Sequence, residues 1–443
     1  MKRAIEMPGN DQAVTPMQVS MASMVGTVME WYDFFLYVFV AALVFGPLFF
    51  PSYSPLVATL ASFGTLAVGY VSRPLGGIVC GHYGDRIGRK GMLVATLTLM
   101  GGATFAIGLL PTYDMIGIWA PILLTICRFL QGVALGGEWG GAVLVAVECA
   151  PRDRRGFFGS VVQTGATIGL AAATAVLFCA SYFLSKEDFL SWGWRVPFLI
   201  SIVMLGAGLY IRLKVSETPA FTKVQQEGSI SKLPIRDVFR SHWKAVICTA
   251  LIYLAGINVP FYTVWAFLLY YGTSVLKVDR SSMLLGVVVI NLVLTLVILL
   301  AGRISDKVGR TFPFVLGFLS ISVMAFPLFW MVDSANIVWI WAAMALTAAP
   351  FWFMWGAMPA YFAEAFPAQL RYTGMSLGSQ VATIVGGFVP LYATAMQPKF
   401  GTWPISALLL TTQILGLIAL LYMRNSSMPS RAEMTPQQAA RVS

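Results

Sequence analysis

Apolar runs of about twenty residues and more recur along this chain, each closed by a short stretch of glycine, proline or charge. A helix of about 20 apolar residues crosses the hydrocarbon core of a bilayer, and runs of this length are too long for the helices of an ordinary soluble core. The pattern predicts twelve helices, over approximately 22–50, 56–82, 91–110, 117–147, 156–184, 194–213, 243–272, 281–303, 312–333, 336–362, 372–396 and 403–424. The fold class is therefore an all-α integral membrane protein. Between the sixth and seventh helices lies the polar segment from Lys214 to Trp243, the one credible linker. It divides the chain into a tail 1–21, a six-helix bundle 22–213, a linker 214–242, a second six-helix bundle 243–424 and a tail 425–443.

The halves repeat one another. GHYGDRIGRK, beginning at Gly81 after the second helix, returns as GRISDKVGR from Gly302 after the eighth. ECAPRDRR from Glu148 to Arg155 has its counterpart in EAFPAQLR from Glu364 to Arg371. Both offsets are close to half the chain, so the two bundles are pseudo-symmetric. Parallel repeats about the membrane normal, with a binding site between the halves near the midplane, are the pattern of a rocking transporter.

Composition and charge narrow the picture. Of 443 residues 58% are hydrophobic and 11% charged, which excludes a soluble globule. A net charge of +10 would suit nucleic acid, but the cations follow the predicted topology instead. With the N-terminus inside, Lys2, Arg3, Arg86, Arg89, Lys90, Arg152, Arg154, Arg155, the linker cations, Arg303, Lys307, Arg310 and Arg371 fall on the inner side. Only Lys186, Arg195, Lys277, Arg280 and Lys399 fall outside, a bias that places both termini in the cytoplasm. The first twenty residues are polar and lack the apolar stretch of a signal peptide, so the first apolar segment is expected to stay as a helix. Cys80, Cys127, Cys149, Cys179 and Cys248 lie in apolar segments without metal-ligand spacing and read as reduced thiols. The two histidines, His82 and His242, sit near the predicted surface without a nucleophile or metal constellation, so no enzyme, metal or cofactor is expected.

Two carboxylates interrupt the first apolar run in MEWYDFFLY, at Glu30 and Asp33. An ionised carboxylate at the centre of a membrane helix costs roughly 2.5–3.5 kcal/mol on insertion scales and normally faces protein and serves a function. They share a helical face with Tyr37, and Asp33 falls about halfway through a ~30 Å core, with Glu30 nearer the cytoplasm. Arg128 in the fourth helix reaches a similar depth and is placed to pair with Asp33; Gln131 and Glu138 continue its polar stripe. A pair of this kind is either a static link between the two helices or a proton-coupling site, in which substrate arrival switches Asp33 between charged and protonated forms. Glu138, in GGEWGG, reads as a structural or gating group rather than a substrate contact. Arg73, toward the cytoplasmic side of the second helix, is placed to neutralise Glu30.

The second half offers amide and aromatic groups in place of charge: Tyr253, Asn258, Tyr262, Trp265, Asn291, Trp352, Trp355 and Gln380. With Arg128, Tyr37, Gln131 and Gln163 from the first half, Asn258, Tyr262, Trp265, Trp355 and Gln380 are the candidate substrate contacts; half or more of the aromatics are expected to be packing alone. Pro260 predicts a kink in the seventh helix. The loops carrying Asp85, Arg86 and Arg89, and Asp306 and Arg310, lack phosphate-loop spacing. They read either as a latch closed in one state or as charges that simply fix topology, and Glu148, Arg155, Glu364 and Arg371 join them as gating candidates.

GHYGDRIGRK and its second copy resemble the loop motif of the major facilitator superfamily. EWYDFFLY, RPLGG, RFLQGVALGGEWGGA from Arg128, and FLSWGWRVPF are similar to the metabolite:proton symporter family within it. The resemblance spans the chain and implies the major facilitator fold, alternating access, loops that govern the conformational switch, and symport of a small organic acid such as shikimate or a di- or tricarboxylate with protons. It further implies a multi-pass protein of the bacterial inner membrane, functional as a monomer in the lipid bilayer, with protons as coupling ion and no nucleic-acid partner. The same branch includes proline and betaine carriers, so a zwitterion substrate stays open, although the nineteen residues after Arg424 carry no coiled-coil heptads. A non-transporting membrane receptor is the alternative of another class.

Overall fold

The computed structural model describes residues 15–76, 89–136, 139–214, 240, 242–366 and 371–426. Every regular element among them is helical. Twelve helices follow in chain order: α1 Pro16–Phe49, α2 Pro55–Gly76, α3 Arg89–Leu109, α4 Trp119–Leu135 continued by Trp139–Cys149, α5 Arg155–Phe183 and α6 Val196–Lys214. The second half holds α7 Trp243–Val275, α8 Arg280–Val308, α9 Phe312–Met324 with Pro327–Val332, α10 Ile337–Ala365, α11 Arg371–Gly386 with Val389–Phe400, and α12 Trp403–Ser426. Among the described residues nine helices are long and apolar enough to cross a membrane, and the shorter apolar helices 94–109, 119–135 and 312–324 bring the number to twelve. Val289, Leu292, Val293, Leu296 and Leu300 form an exposed apolar stripe on α8, a surface that hydrocarbon accepts and water does not.

The boundaries agree with the hydropathy pattern to within a few residues, with informative exceptions. α1 begins at Pro16, six residues early, because Thr15 caps it: its hydroxyl accepts from the Gln18 backbone while the Gln18 side chain accepts from the Thr15 backbone. α9 and α11 are interrupted, before Pro327 and at residues 387–388 ahead of Pro390, where proline cannot continue the ladder. α7 widens into π turns at Leu254–Asn258, Tyr262–Phe267 and Tyr271–Val275, two of which flank Pro260. A proline has no N–H and crowds the carbonyl four residues back, and wider turns relieve that crowding. The predicted kink is thus spread over much of the helix.

Within the first half α1 packs on α5, α3 on α4 and α6, and α2 on α4. In the second, α8 packs on α10, α9 on α10 and α12, and α7 on α11 and α12. The halves meet chiefly where α5 lies along α8 and α10, and where α2 meets α11. At one end α5 and α8 approach backbone to backbone: a Cβ on Gly156 would stand 2.6 Å from the Gly302 carbonyl oxygen. The space between the halves is where the polar residues of α1, α2, α7, α10 and α11 converge.

Candidate functional site

The two carboxylates of α1 face different ways. Three residues of helix turn the side chain by about 60°, and that is enough to separate their surroundings. Glu30 lines a cavity between the halves together with Trp31, Phe34, Arg73, Tyr253, Gln380 and Thr383. An adjoining cavity continues past Arg73, Asn258, Phe261, Tyr262, Trp352 and Trp355. Neither Asp33 nor Arg128 lines either one.

The cavity walls are aromatic and cross from one half to the other. Trp31 meets Trp355 edge to face at 5.6 Å, and Phe35 stacks on Phe261 at 5.2 Å. The Tyr70 and Tyr262 hydroxyls are joined by a hydrogen bond. The Arg73 guanidinium lies over the rings of Tyr70 and Phe34, at 4.9 and 5.4 Å, so one face is occupied by π electrons and its edge is left for other partners. Arg73 Nε, Asn258 Nδ2 and Gln380 Oε1 are buried without a hydrogen-bond partner. Buried polar groups are normally satisfied; these three are available to hydrogen-bond a polar occupant of the cavities.

Arg128 belongs to a buried line inside the first half. Arg128 Nη1 donates to Gln131 Oε1 at 3.2 Å and Gln131 Nε2 donates to Thr104 Oγ1 at 2.7 Å. The ion pair with Asp33 expected from equal depth is not formed among the described residues; Asp33 is buried and lines neither cavity. Arg128 is only 1% exposed, stacked over Tyr37 at 4.4 Å, while Tyr37 itself hydrogen-bonds Thr65 at 2.5 Å. Its aliphatic stem runs along the bare backbone of Gly69, where an added Cβ would sit 3.0 Å from Arg128 Cδ. Only glycine leaves that channel open.

At the end where α5 meets α8, the second loop copy forms a lock. Both carboxylate oxygens of Asp306 accept from the first turn of α5, from the Gly156 and Phe157 backbone N–H groups, each at 2.8 Å. A carboxylate at a helix N-terminus satisfies donors that the helix itself leaves unpaired. Arg310 ties Asp306 at 2.5 Å to Glu364 at 3.2 Å, so α8, α5 and α10 share one network. Burial works to lower the Arg310 pKa, and the bonds to Asp306 and Glu364 overcome it, leaving it raised.

Of the substrate candidates, Asn258, Tyr262, Trp355 and Gln380 line the cavities. Arg128, Tyr37 and Gln131 do not; they form the buried line and its support. Gln163 exchanges hydrogen bonds with the Trp355 backbone and indole across α5 and α10, a structural tie between the halves. Trp265 is fully buried against Phe351. Among gating candidates Asp306, Arg310 and Glu364 come together, while Glu148 is exposed and Arg155 half-buried at the start of α5. Asp85, Arg86 and Glu138, and the side chains of Arg89 and Arg371, lie outside the described residues. Two positions escaped the site assignment. Arg73 carried a signal, an arginine within a membrane helix, and was read only as a partner of Glu30; Thr104, which accepts from Gln131, carried none, since a threonine in an apolar helix usually bonds its own backbone.

A profile described as the Major Facilitator Superfamily matches residues 25–390. The shikimate transporter of Escherichia coli is 38% identical over 416 residues, 92% of this chain and 94% of its own length. The proline/betaine transporter of the same organism is 33% identical over 418 residues, 92% of this chain and 83% of its own. A crystal structure of a D-xylose-proton symporter superposes with a TM-score of 0.71 at 17% identity, covering 91% of this chain and 96% of that one.

Proposed function

Because this chain belongs to the Major Facilitator Superfamily, we propose that it is a proton-coupled symporter importing a small organic acid across the bacterial inner membrane by alternating access. The observation that carries the reading is the aromatic-walled cavity between the halves, with Glu30, Arg73 and the orphaned polar atoms of Arg73, Asn258 and Gln380. Arg73 takes the substrate carboxylate, since a guanidinium edge matches two carboxylate oxygens, and Arg128 is screened from the cavity by aromatic rings. Asp33 is the proton carrier, supported by its burial away from the substrate, where neutral and charged forms face different costs. The two six-helix bundles 22–213 and 243–424 rock about the cavity, and the linker 214–242 and both termini lie in the cytoplasm. There the Asp306–Arg310–Glu364 network closes the inner side and must break for release.

One feature favours a zwitterion as second reading: the cavity presents one anion and one cation, and Trp31, Tyr253, Trp352 and Trp355 offer ring faces of the kind that hold quaternary ammonium groups. Purified protein in vesicles, challenged with labelled shikimate, di- and tricarboxylates, proline and glycine betaine under an imposed proton gradient, tests both. Accumulation driven by the gradient is expected for one class. Uptake of every compound indifferent to the gradient overturns symport.

A further inference from the structure

We infer that Tyr70 of α2 is a gate residue, which clasps the two halves together at the end of the cavity remote from the Asp306 lock. The inference rests on the reading of two bundles that rock about the cavity. Four helices run parallel from the lock end. The bare backbones of Gly165 and Gly169 on α5 face Met24 and Tyr32 of α1, Phe35 of α1 stacks on Phe261 of α7, and Gly378 and Gly386 of α11 face Thr249 and Asn258 of α7. Moving away from the lock, Glu30, Tyr253 and Gln380 come first on α1, α7 and α11, and Phe35, Tyr262 and Gly387 follow. On α2, which runs the other way, Arg73 is met before Tyr70.

Three contacts converge on Tyr70, which is fully buried. Its hydroxyl is hydrogen-bonded to that of Tyr262 on α7, and the two rings meet edge to face with centroids 5.8 Å apart. Its ring rests on the bare backbone of Gly387, where an added Cβ would stand 2.8 Å from Tyr70 Cγ. Residues 387–388 are where α11 is interrupted, so a side chain of the first half plugs a gap in a helix of the second. The Arg73 guanidinium, one turn along α2, lies over the same ring at 4.9 Å. That ring is therefore a wall shared by the clasp and the cation of the cavity. Tyr70 holds α7 and α11 from α2 as Asp306 holds α5 from α8, with a neutral hydroxyl pair in place of charge. Parting such a pair strands no buried ion, and water that enters as the halves separate can satisfy both hydroxyls.

Amide exchange of the full chain in lipid vesicles, read by mass spectrometry, needs no substrate. Tyr70→Phe removes the hydroxyl and keeps the ring. It should speed exchange over 263–275 and 389–400 about fivefold, the worth of one neutral hydrogen bond, and slow it over 156–160 and 302–308 as the lock end closes more often. Tyr262→Phe should match it, and the double variant should add little, since one bond is lost either way. Gly387→Ala keeps both hydroxyls but fills the seat of the ring, and should give the same reciprocal pattern. Exchange unchanged at both ends in Tyr70→Phe, or faster at both alike, reduces the contact to packing and overturns the clasp. Asp306→Asn is the reference for rocking: it should speed exchange at the lock and slow it at the far end. If it does so while Tyr70→Phe does not show the opposite pattern, the clasp alone is wrong. If neither variant moves the two ends in opposite directions, the rocking reading fails and the inference with it.

Discussion

Glu30 and Asp33 are one helical turn apart on α1 and almost equally buried, at 7% and 6% exposure, yet they have different neighbours. Glu30 shares with Arg73 a cavity that reaches α7, α10 and α11. Asp33 lines neither cavity, and Arg128 bonds Gln131 within the first half. Phe34 lies against the guanidinium of both Arg73 and Arg128. On the proposed reading, substrate charge is handled in the cavity and proton charge at Asp33 outside it.

The sharpest way to break this division is Asp33→Asn. Gradient-driven accumulation should fall to background while counterflow exchange of the transported compound continues; accumulation at the wild-type level would remove Asp33 from coupling. Arg73→Ala should weaken binding about 10- to 100-fold, the worth of a charge-assisted hydrogen bond of about 1.5–3 kcal/mol, with Arg73→Lys recovering only part. Isothermal titration or the KM of uptake checks this, and an unchanged value would move the carboxylate elsewhere. Arg128→Lys should do the reverse, reducing accumulation about tenfold with KM within about twofold, because a point charge cannot keep both the ring stacking on Tyr37 and the bond to Gln131. A large rise in KM there would undo that division.

Smaller effects test the frame around them. Asp306→Asn removes a charge of about 1 kcal/mol in value from the α5 N-terminus, so the population closed on that side should fall about fivefold, read as faster amide exchange at Gly156 and Phe157. Gly69→Ala should cost about 1–3 kcal/mol of overpacking against the Arg128 side chain. A thermal melt compares it with Gly64→Ala, where an added Cβ meets nothing within 4 Å and little change is expected.

The architecture was legible because membrane helices announce themselves. Twelve apolar runs, a half-chain repeat and the bias of cations need no knowledge of contacts, and the helices stand where hydropathy placed them. The partial failures are equally physical. The stripe Arg128–Gln131 reads as a face turned to the substrate cavity, whereas neither residue lines it and Gln131 bonds Thr104 of α3; periodicity cannot say whether such a face points at the other half or at helices of its own. Likewise Trp265 and Trp355 look alike along α7 and α10, and only packing against Phe351 or against Trp31 makes one filler and the other a wall.

The sequence by itself determined that this chain spans a membrane twelve times, that its two halves repeat one another, and that α1 carries two carboxylates which, inside an apolar run, must face protein rather than lipid. Only the tertiary structure decided that Glu30 and Arg73 line the cavity while Asp33 and Arg128 do not. A helix sets the depth and angle of each side chain about its own axis, whereas the partner across a gap depends on how neighbouring helices are rotated. That rotation is fixed by close approaches such as Arg128 along Gly69 and by aromatic contacts such as those of Phe34, which join residues far apart in the chain.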